Sequence, residues 1–552
     1  MSEPLDITFA MLEKTGNEAS VAVLMAALRN KQWKIQEPAL RAILGRRSPA
    51  AHRQLILRWN DLPDRMRQVI QERSDHLSGA VRDAILGSNE KLNREGCDAV
   101  LCLRDFDLLP ALVTAVEDEA NSQRELAGQT LFRLIEMLHE DLATSAKAKS
   151  GRDPRAVRPQ ALTTLETSVS RYSNHQRPEI LEAFLLIVGR DNSTLKHILN
   201  CPHDCRFLKV VDLLATSTQP GILRLLLSFL DDAHAPSSVL GILARRDDQA
   251  FIQRLMAKIG FEPSKQAKHN IKRIKSIPWL DKDLGFLDDF DDAEQHSAVQ
   301  LVMTSGVNRL KSFKVVQYLL QNGKPGGRRA ASHVLAEFRG SEANELAVEK
   351  LQDEDPQVQA NLLSQIRERG IPGAMLRLIK MIDSPHEIVR SAARANLEEF
   401  SIERFFAAYD MLEEDVRKST GQLVKRVDLQ TIPKITKELN SRSRTHRLRA
   451  LGIAAAVEAV PELESAIVPL LNEADHFLRA EAATALAGSS SDKARRALRK
   501  ALADPNFTVQ QAAQQSLDRM SAAPETDSPA AITDSTIFPT ETYFPGAKES
   551  LQ

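Results

Sequence analysis

Three stretches decide the fold: LQDEDPQVQANLLSQI at residues 351–366, MIDSPHEIVRSAARANL at 381–397 and LADPNFTVQQAAQQSL at 502–517. Each begins near a proline that follows aspartate or serine, and each then places three apolar or small residues four positions apart. Residues four apart lie on one face of an α-helix. Each stretch therefore predicts a turn and then a helix with one buried face. In two of them the middle residue is alanine, which lets a neighbouring helix come close.

The same spacing recurs along residues 323–520. The first members of these trios are 27 to 32 residues apart, and a second amphipathic helix fits between them, as in 371–382 or 429–439. One such helical pair cannot bury its own apolar face, so neighbouring pairs must stack. The trios are Gly327, Ala331, Leu335; Val358, Leu362, Ile366; Val389, Ala393, Leu397; Val416, Thr420, Val424; Leu448, Gly452, Ala456; Leu478, Ala482, Leu486; and Val509, Ala513, Leu517.

The quoted stretches resemble HEAT repeats, in particular the short bacterial type named after phycobilisome lyase, over about residues 323–520. The resemblance implies an all-α fold, a right-handed α-solenoid of stacked antiparallel helical hairpins. It implies little about activity, because such repeats occur in scaffolds, in adaptors and in a few enzymes, and the repeat alone carries no catalytic residue.

An arginine follows the first trio residue in five repeats, and Asp383, Asp410 and Asn472 stand seven positions before three of these arginines. In HEAT-like repeats such pairs form a ladder along the turns, so the resemblance implies a structural role. A phosphate-binding stripe is the functional alternative, but the fixed place in the repeat favours the structural role. The arginines are Arg328, Arg390, Arg417, Arg449 and Arg479.

The first 280 residues predict helices of fainter periodicity and no alternating strand pattern. Ile35, Ala39, Ile43 form one trio there, and Leu92, Gly96, Val100 form another. We predict irregular helical repeats at 1–142, a flexible basic loop at 143–160, irregular helical repeats at 161–280, an acidic junction and helices at 281–322, regular repeats at 323–520 and a disordered tail at 521–552.

Composition excludes some classes of function. The 552 residues carry a formal net charge of −1, which argues against a chain-wide field that attracts nucleic acid or acidic membrane. Four cysteines fit a reducing compartment, and no apolar run has the length of a membrane span. The N-terminus shows no signal-peptide pattern. We therefore expect a cytoplasmic protein without membrane insertion.

The strongest metal candidate is the set His197, Cys201 and Cys205, which would share one face of a continuous helix. Pro202 is expected to begin a new helix and to break that geometry, and buried cysteine as a small hydrophobe is the alternative. A calcium loop over 281–292 is weakly suggested, but Phe286 stands where an EF-hand needs glycine and Asp292 where it needs glutamate. Without nucleotide-binding or nucleophile motifs, we predict no metal, cofactor or catalytic residue.

We predict a non-catalytic intracellular scaffold or adaptor that binds protein partners along its surface. The alternative is a nucleic-acid-binding or DNA-repair HEAT-like protein that uses a basic groove. The first candidate site is a basic ridge over 417–449, where nearby acids are few, chiefly Asp428 and Glu438. Arg442, Arg444 and Arg447 should reach solvent there, although a merely solubilising surface is the other interpretation.

The second candidate site lies in the tail. The pairs Phe538-Pro539 and Phe544-Pro545 are typical of a peptide that docks in a partner's groove, because proline reduces the entropy lost on binding. The alternative is a cap on the last helix, near Leu517 and Met520.

Overall fold

The computed structural model describes residues 4–46, 48–144, 153–281 and 283–522. Over these ranges the chain consists of α-helices joined by turns and short 3₁₀ segments, with no β-strand. The all-α prediction is therefore confirmed.

The chain divides into two compact units, unit 1 at Met1–Lys350 and unit 2 at Leu351–Gln552. The helices of unit 1 are α1 (Pro4–Lys14), α2 (Ala19–Ala27), α3 (Trp33–Arg46), α4 (Pro49–Ile56), α5 (Asp64–Gln71), α6 (Ser78–Leu86), α7 (Glu90–Leu103), α8 (Leu109–Glu117), α9 (Arg124–Thr144), α10 (Pro154–Ser170), α11 (Tyr172–His175), α12 (Pro178–Ile187), α13 (Ser193–Asn200), α14 (Phe207–Thr216), α15 (Pro220–Ser228), α16 (Ser237–Arg245), α17 (Gln249–Ile259), α18 (Lys265–Lys272), α19 (Asp292–Thr304), α20 (Arg309–Asn322), α21 (Pro325–Val334) and α22 (Ser341–Glu349).

Unit 2 stacks its helices in two layers. The helices that carry the trios pack on one another, α29 on α31 and α31 on α33, while α28 packs on α30 in the second layer. Short connections make consecutive helices antiparallel. The helices of unit 2 are α23 (Pro356–Leu363), α24 (Ala374–Met381), α25 (Glu387–Ala395), α26 (Ile402–Ala408), α27 (Glu414–Val427), α28 (Thr431–Leu439), α29 (Arg444–Ala456), α30 (Val460–Ile467), α31 (His476–Ala485), α32 (Asp492–Ala501) and α33 (Phe507–Ala522).

The clear trios form the core as the spacing predicts. Val389, Ala393 and Leu397 are fully buried, and so are Leu478, Ala482 and Leu486. In unit 1 the fainter trio Leu92, Gly96, Val100 is likewise buried on α7. A Cβ at Gly96 would lie 2.9 Å from the Ala84 side chain of α6, so this small residue permits the close approach of two helices.

Two looser trios face the core only in part. Val416 and Leu448 are half-buried, and the buried residues of α27 are Gly421, Val424 and Val427. A Cβ at Gly421 would lie 2.7 Å from the carbonyl oxygen of Ala456. The small residue that lets α27 approach α29 is therefore Gly421 rather than the predicted Thr420.

Of the three prolines in the quoted stretches, only Pro356 begins a helix. Pro356 is the first residue of α23, where the Asp355 side chain accepts a hydrogen bond from the Gln357 amide. Pro385 and Pro505 instead lie in the turns before α25 and α33. Asn506 caps α33, because its side chain accepts the Thr508 amide at 2.9 Å, so the helix begins after the proline.

The bounds predicted for the basic loop, 143–160, extend too far at both ends, because helices cover part of this range. Helix α9 continues to Thr144, and α10 already begins at Pro154, where the Asp153 side chain caps the Arg155 amide at 2.9 Å. Aspartate followed by proline is a helix-start signal, which outweighs the basic composition of the segment. Residues 145–152 lie outside the described residues.

No single helix in the described ranges is long and apolar enough to cross a membrane. One bent pair, Phe207–Thr216 with Pro220–Asp231, passes the same test by length and composition only.

Candidate partner-binding surface

The predicted ridge over 417–449 is largely neutralised by acids from neighbouring repeats. Half of its ten cations pair with carboxylates that stand 31 to 43 residues away in the sequence, which a count of nearby acids misses. Only Lys437 and Arg442 of the ten predicted cations are exposed without a side-chain partner among the described residues. The long-range pairs are Lys425 with Glu462, Arg426 with Asp383, Lys434 with Glu403, Arg444 with Asp475 and Arg449 with Asp410.

The three arginines predicted to bind a partner differ in their surroundings. Arg442 is exposed. Arg444 places Nε 2.5 Å from Asp475 Oδ2 and its guanidinium 5.2 Å from the ring centroid of Phe477. Arg447, whose side chain is only 19% exposed, lies 2.9 Å from Glu473 Oε1. A partner-binding role for the three stays a prediction, and Arg442 is the one whose charge is uncompensated.

The repeated arginines bind the turns that precede their own helices. Arg390 Nη1 donates to the Ser384 carbonyl at 2.8 Å, and Arg417 Nε donates to the Tyr409 carbonyl at 2.8 Å. Arg479 Nη1 donates to the Glu473 carbonyl at 2.7 Å. The guanidinium heads thus donate to backbone oxygens of these turns. This arrangement supports the structural role over a phosphate stripe.

A ladder of arginine and aspartate is present, but with a different pairing from the one that the resemblance implies. Asp383 pairs with Arg426 and Asp410 pairs with Arg449, in each case an arginine of a following repeat rather than of its own. Asn472 takes no part, and Arg479 instead pairs with Asp504 through two contacts of 2.8 and 2.9 Å.

Unit 1 contains a similar set of arginine bonds that the sequence did not indicate. Arg158 and Arg190 donate to the carbonyls of Ile187 and Ser228 at 2.8 and 2.9 Å, which are the last residues of α12 and α15. Cations favour the C-terminal ends of helices, where carbonyls lack partners. The fixed-offset pattern that revealed the arginines of unit 2 is missing here, because the repeats vary in length.

Helix α32 presents a basic face that remains unpaired. Ala494 and Leu498 are buried on its inner side. The outer side carries exposed cations at spacings of three, four and seven, so that they share one face. None of their side chains has a hydrogen-bonding or ion-pair partner within the described ranges. We call these four residues the α32 basic face: Lys493, Arg496, Arg499 and Lys500.

The sequence analysis did not predict this face, because the longer basic segment with few acids lies at 417–449. The available signal was the stretch 493–500, in which five of eight residues are basic and Asp492 is the adjacent acid. Only Arg495 lies near Asp492, at 3.7 Å. The neighbouring repeat sends no carboxylate to the other four, in contrast to the predicted ridge.

Two exposed phenylalanines stand in the first turns of neighbouring helices. Phe477 on α31 is 57% exposed and Phe507 on α33 is 73% exposed. Each precedes a buried trio residue by one or two positions, which points the ring away from the core. Large exposed aromatics near cations are typical of binding surfaces, and the guanidinium of Arg444 already lies over Phe477.

The three metal candidates do not share one continuous helix. Helix α13 ends at Asn200, so His197 lies on the helix and Cys201 follows it in an extended conformation; the Cys201 sulfur lies 3.9 Å from His197 Nδ1. Pro202 does not begin a helix as predicted, because α14 begins only at Phe207. Cys205 is exposed, whereas Cys97 is buried and burial raises its pKa to about 11. No group of three or more metal-ligating side chains occurs among the residues described.

The acidic residues of 281–294 cap and tie helices. Asp291 and Glu294 form a capping box at the start of α19, with contacts of 2.8 and 3.0 Å. Asp283 accepts the Gly285 amide at 3.0 Å, and Asp288 accepts the hydroxyl of Tyr318 at 2.9 Å. These carboxylates therefore have hydrogen-bonding roles within the fold.

A family model, HEAT repeats, matches residues 313–398 and 432–518. These segments contain the trio helices α25, α29, α31 and α33. The match shows HEAT repeats in these two segments, and the stacked helices of the chain have the all-α fold of a HEAT/armadillo-like solenoid. No curated protein matches the chain.

Solved repeat structures align with the chain at low similarity. A designed armadillo repeat protein is 19% identical and covers 37% of this chain and 98% of its own, with a TM-score of 0.16. A chain from a structure on the phosphorylation-controlled interaction between cadherin and beta-catenin is 14% identical, covering 91% and 98%, with a TM-score of 0.29. Kap121p is 13% identical, covering 94% and 57%, with a TM-score of 0.25. These values are too low to indicate a shared function.

The tail residues Phe538, Pro539, Phe544 and Pro545 lie outside the described residues, so their predicted docking role stays a prediction.

Proposed function

We propose that the protein is a non-catalytic intracellular scaffold or adaptor, and that unit 2 binds acidic segments of protein partners. The α32 basic face carries this proposal, because Lys493, Arg496, Arg499 and Lys500 are exposed and unpaired in a repeat array whose other cations are mostly paired. Repeat proteins offer extended surfaces of this kind to protein segments.

The charge of the face defines the partner. Lysine and arginine heads in water attract carboxylates over roughly one Debye length, about 8 Å at physiological ionic strength. The energy of each exposed pair is small, about 0–1 kcal/mol, so a partner must engage several of them together. Exposed Phe477 and Phe507 elsewhere in unit 2 can add apolar contacts.

The test compares proteins captured from an extract of the source cells. The variant reverses the charge of the α32 basic face (K493E/R496E/R499E/K500E), and a matched control reverses four exposed lysines of unit 1 (K265E/K272E/K275E/K314E). We expect partners that the wild type and the control both retain to be lost from the α32 variant, with its melting temperature unchanged. Partners that remain bound to the α32 variant would overturn the proposal.

Nucleic acid is the second candidate, because phosphates bind the same cations and because exposed aromatics can stack on bases. It predicts that a labelled single-stranded oligonucleotide binds with an affinity that falls on K493E/R496E/R499E/K500E and on Phe477→Ala. Protein binding predicts that the wild type binds the oligonucleotide no better than K493E/R496E/R499E/K500E does.

A further inference from the structure

The residues after α33 are acidic. Residues 523–552 lie outside those that the structure describes, and their sequence contains one lysine, Lys548, against five carboxylates, a net charge of −4. This composition complements the four cations of the α32 basic face. The acidic residues are Glu525, Asp527, Asp534, Glu541 and Glu549.

The place where this segment begins puts it close to the α32 basic face. Helices α32 and α33 are consecutive, packed on each other and joined by residues 502–506, so they run antiparallel. The segment starts at residue 523, directly after α33, on the side where α32 begins. An extended chain spans about 3.3 Å per residue, so Asp527 can reach roughly 17 Å from Ala522, about the length of ten helical residues.

The outward face of α33 offers the segment little apolar surface near its start. Gln511, Gln514 and Asp518 are exposed there, and the exposed Phe507 on the same face lies at the other end of the helix. Leu517 and Met520 already pack against the core of unit 2. A cap near these two residues, one of the two roles predicted for the tail, therefore has little to bury.

We propose that residues 523–552 bind in cis to the α32 basic face and compete there with acidic partners. The competition rests on the proposed function, whereas the cis contact itself does not. A tether of this length gives an effective concentration on the order of 1 mM, so even a contact with a dissociation constant of ~0.2 mM is about four-fifths occupied. An acidic partner must then displace the tail.

The experiment measures how fast an amine-acylating reagent modifies individual lysines of the full-length protein, read by mass spectrometry. The comparison variant neutralises the tail (E525Q/D527N/D534N/E541Q/E549Q). In the wild type we expect Lys493 and Lys500 to react about fivefold more slowly than in this variant at low salt, as the occupancy requires. Exposed Lys265 and Lys272 of unit 1 serve as internal controls and should react equally in both proteins.

Three outcomes decide whether the tail contacts the α32 basic face in cis. Protection that is independent of protein concentration and disappears in 0.5 M NaCl supports the cis contact. Equal rates in the two proteins overturn it. Protection that grows with protein concentration also overturns it, because the tail of a second copy is then the occupant.

The result separates this inference from the proposed function. Partners that survive K493E/R496E/R499E/K500E, together with protected lysines in the wild type, would overturn the proposed function and leave the cis contact standing. Partners that are lost from that variant, together with unprotected lysines in the wild type, would support the proposed function and overturn the cis contact.

Discussion

At the scale of single residues, arginine holds successive turns together. Arg479 donates to the Glu473 carbonyl of the turn before its helix and pairs with Asp504 of the following repeat, with the two side chains only 12% and 9% exposed. One side chain thus joins two turns through charge-assisted bonds, which are stronger than neutral ones.

We expect Arg479→Ala to lower the free energy of unfolding by about 1–3 kcal/mol, because it removes the cation that pairs with the Asp504 carboxylate and the donor to the Glu473 carbonyl in a poorly solvated place. Urea unfolding measures the change. Arg496→Ala removes an exposed, unpaired arginine and is the matched control, with an expected effect under ~0.5 kcal/mol. Equal effects of the two substitutions would contradict the structural role of Arg479.

The same pair predicts a pH dependence. The hydrogen bond from the Arg479 guanidinium holds the pKa of the Asp504 carboxyl below its ordinary value. A carboxyl with a depressed pKa contributes stability that is fully present above its unfolded pKa, about 3.9, and is lost as pH falls through the folded pKa. The stability difference between wild type and Arg479→Ala should therefore be constant from about pH 5 to 8 and shrink below about pH 4. A difference that persists at low pH would refute this assignment.

At the scale of helices, close approach sets where small residues must stand. The spacing of Leu478, Ala482 and Leu486 sufficed to predict a buried helix face, because regular repeats keep one register. It failed at Thr420, since the packing of α27 on α29 shifts the buried positions to Gly421. The ion pairs could not be predicted from the sequence either, because which aspartate pairs with Arg449 depends on how the repeats stack. The α32 basic face, in contrast, is visible in its own eight residues.

Gly421→Ala tests the helix contact. We expect a loss of about 1–3 kcal/mol in the free energy of unfolding, since the added methyl would meet the Ala456 backbone, which cannot move aside as a side chain can. Gly241→Ala on α16 is the control, because its Cβ would meet only the end of Arg245 at 3.5 Å. There alanine should be neutral or stabilise by up to ~1 kcal/mol. A neutral Gly421→Ala would show that α27 and α29 are further apart.

At the scale of the whole molecule, stability is distributed along stacked repeats. In such arrays each repeat contacts its neighbours, so that stability is the sum of repeat and interface contributions. The chain has two compact units, Met1–Lys350 and Leu351–Gln552, each with its own stacked helices. Damage to one repeat should therefore act locally.

Hydrogen exchange measures this locality. Gly421→Ala should raise amide exchange in α27, α29 and their neighbours, and leave the helices of Met1–Lys350 unchanged, because local opening costs less than global unfolding. Exchange that rises equally in both units would mean that the chain unfolds as one cooperative body.

The central claim is the proposal that this protein binds acidic protein segments on the α32 basic face. Chemical cross-linking of the full-length protein to its captured partner, followed by mass spectrometry, tests it most directly. We predict cross-links from Lys493 and Lys500 to acidic segments of the partner, and a yield that falls as NaCl rises from 50 to 300 mM. Cross-links confined to other helices, or a yield indifferent to salt, would contradict the account.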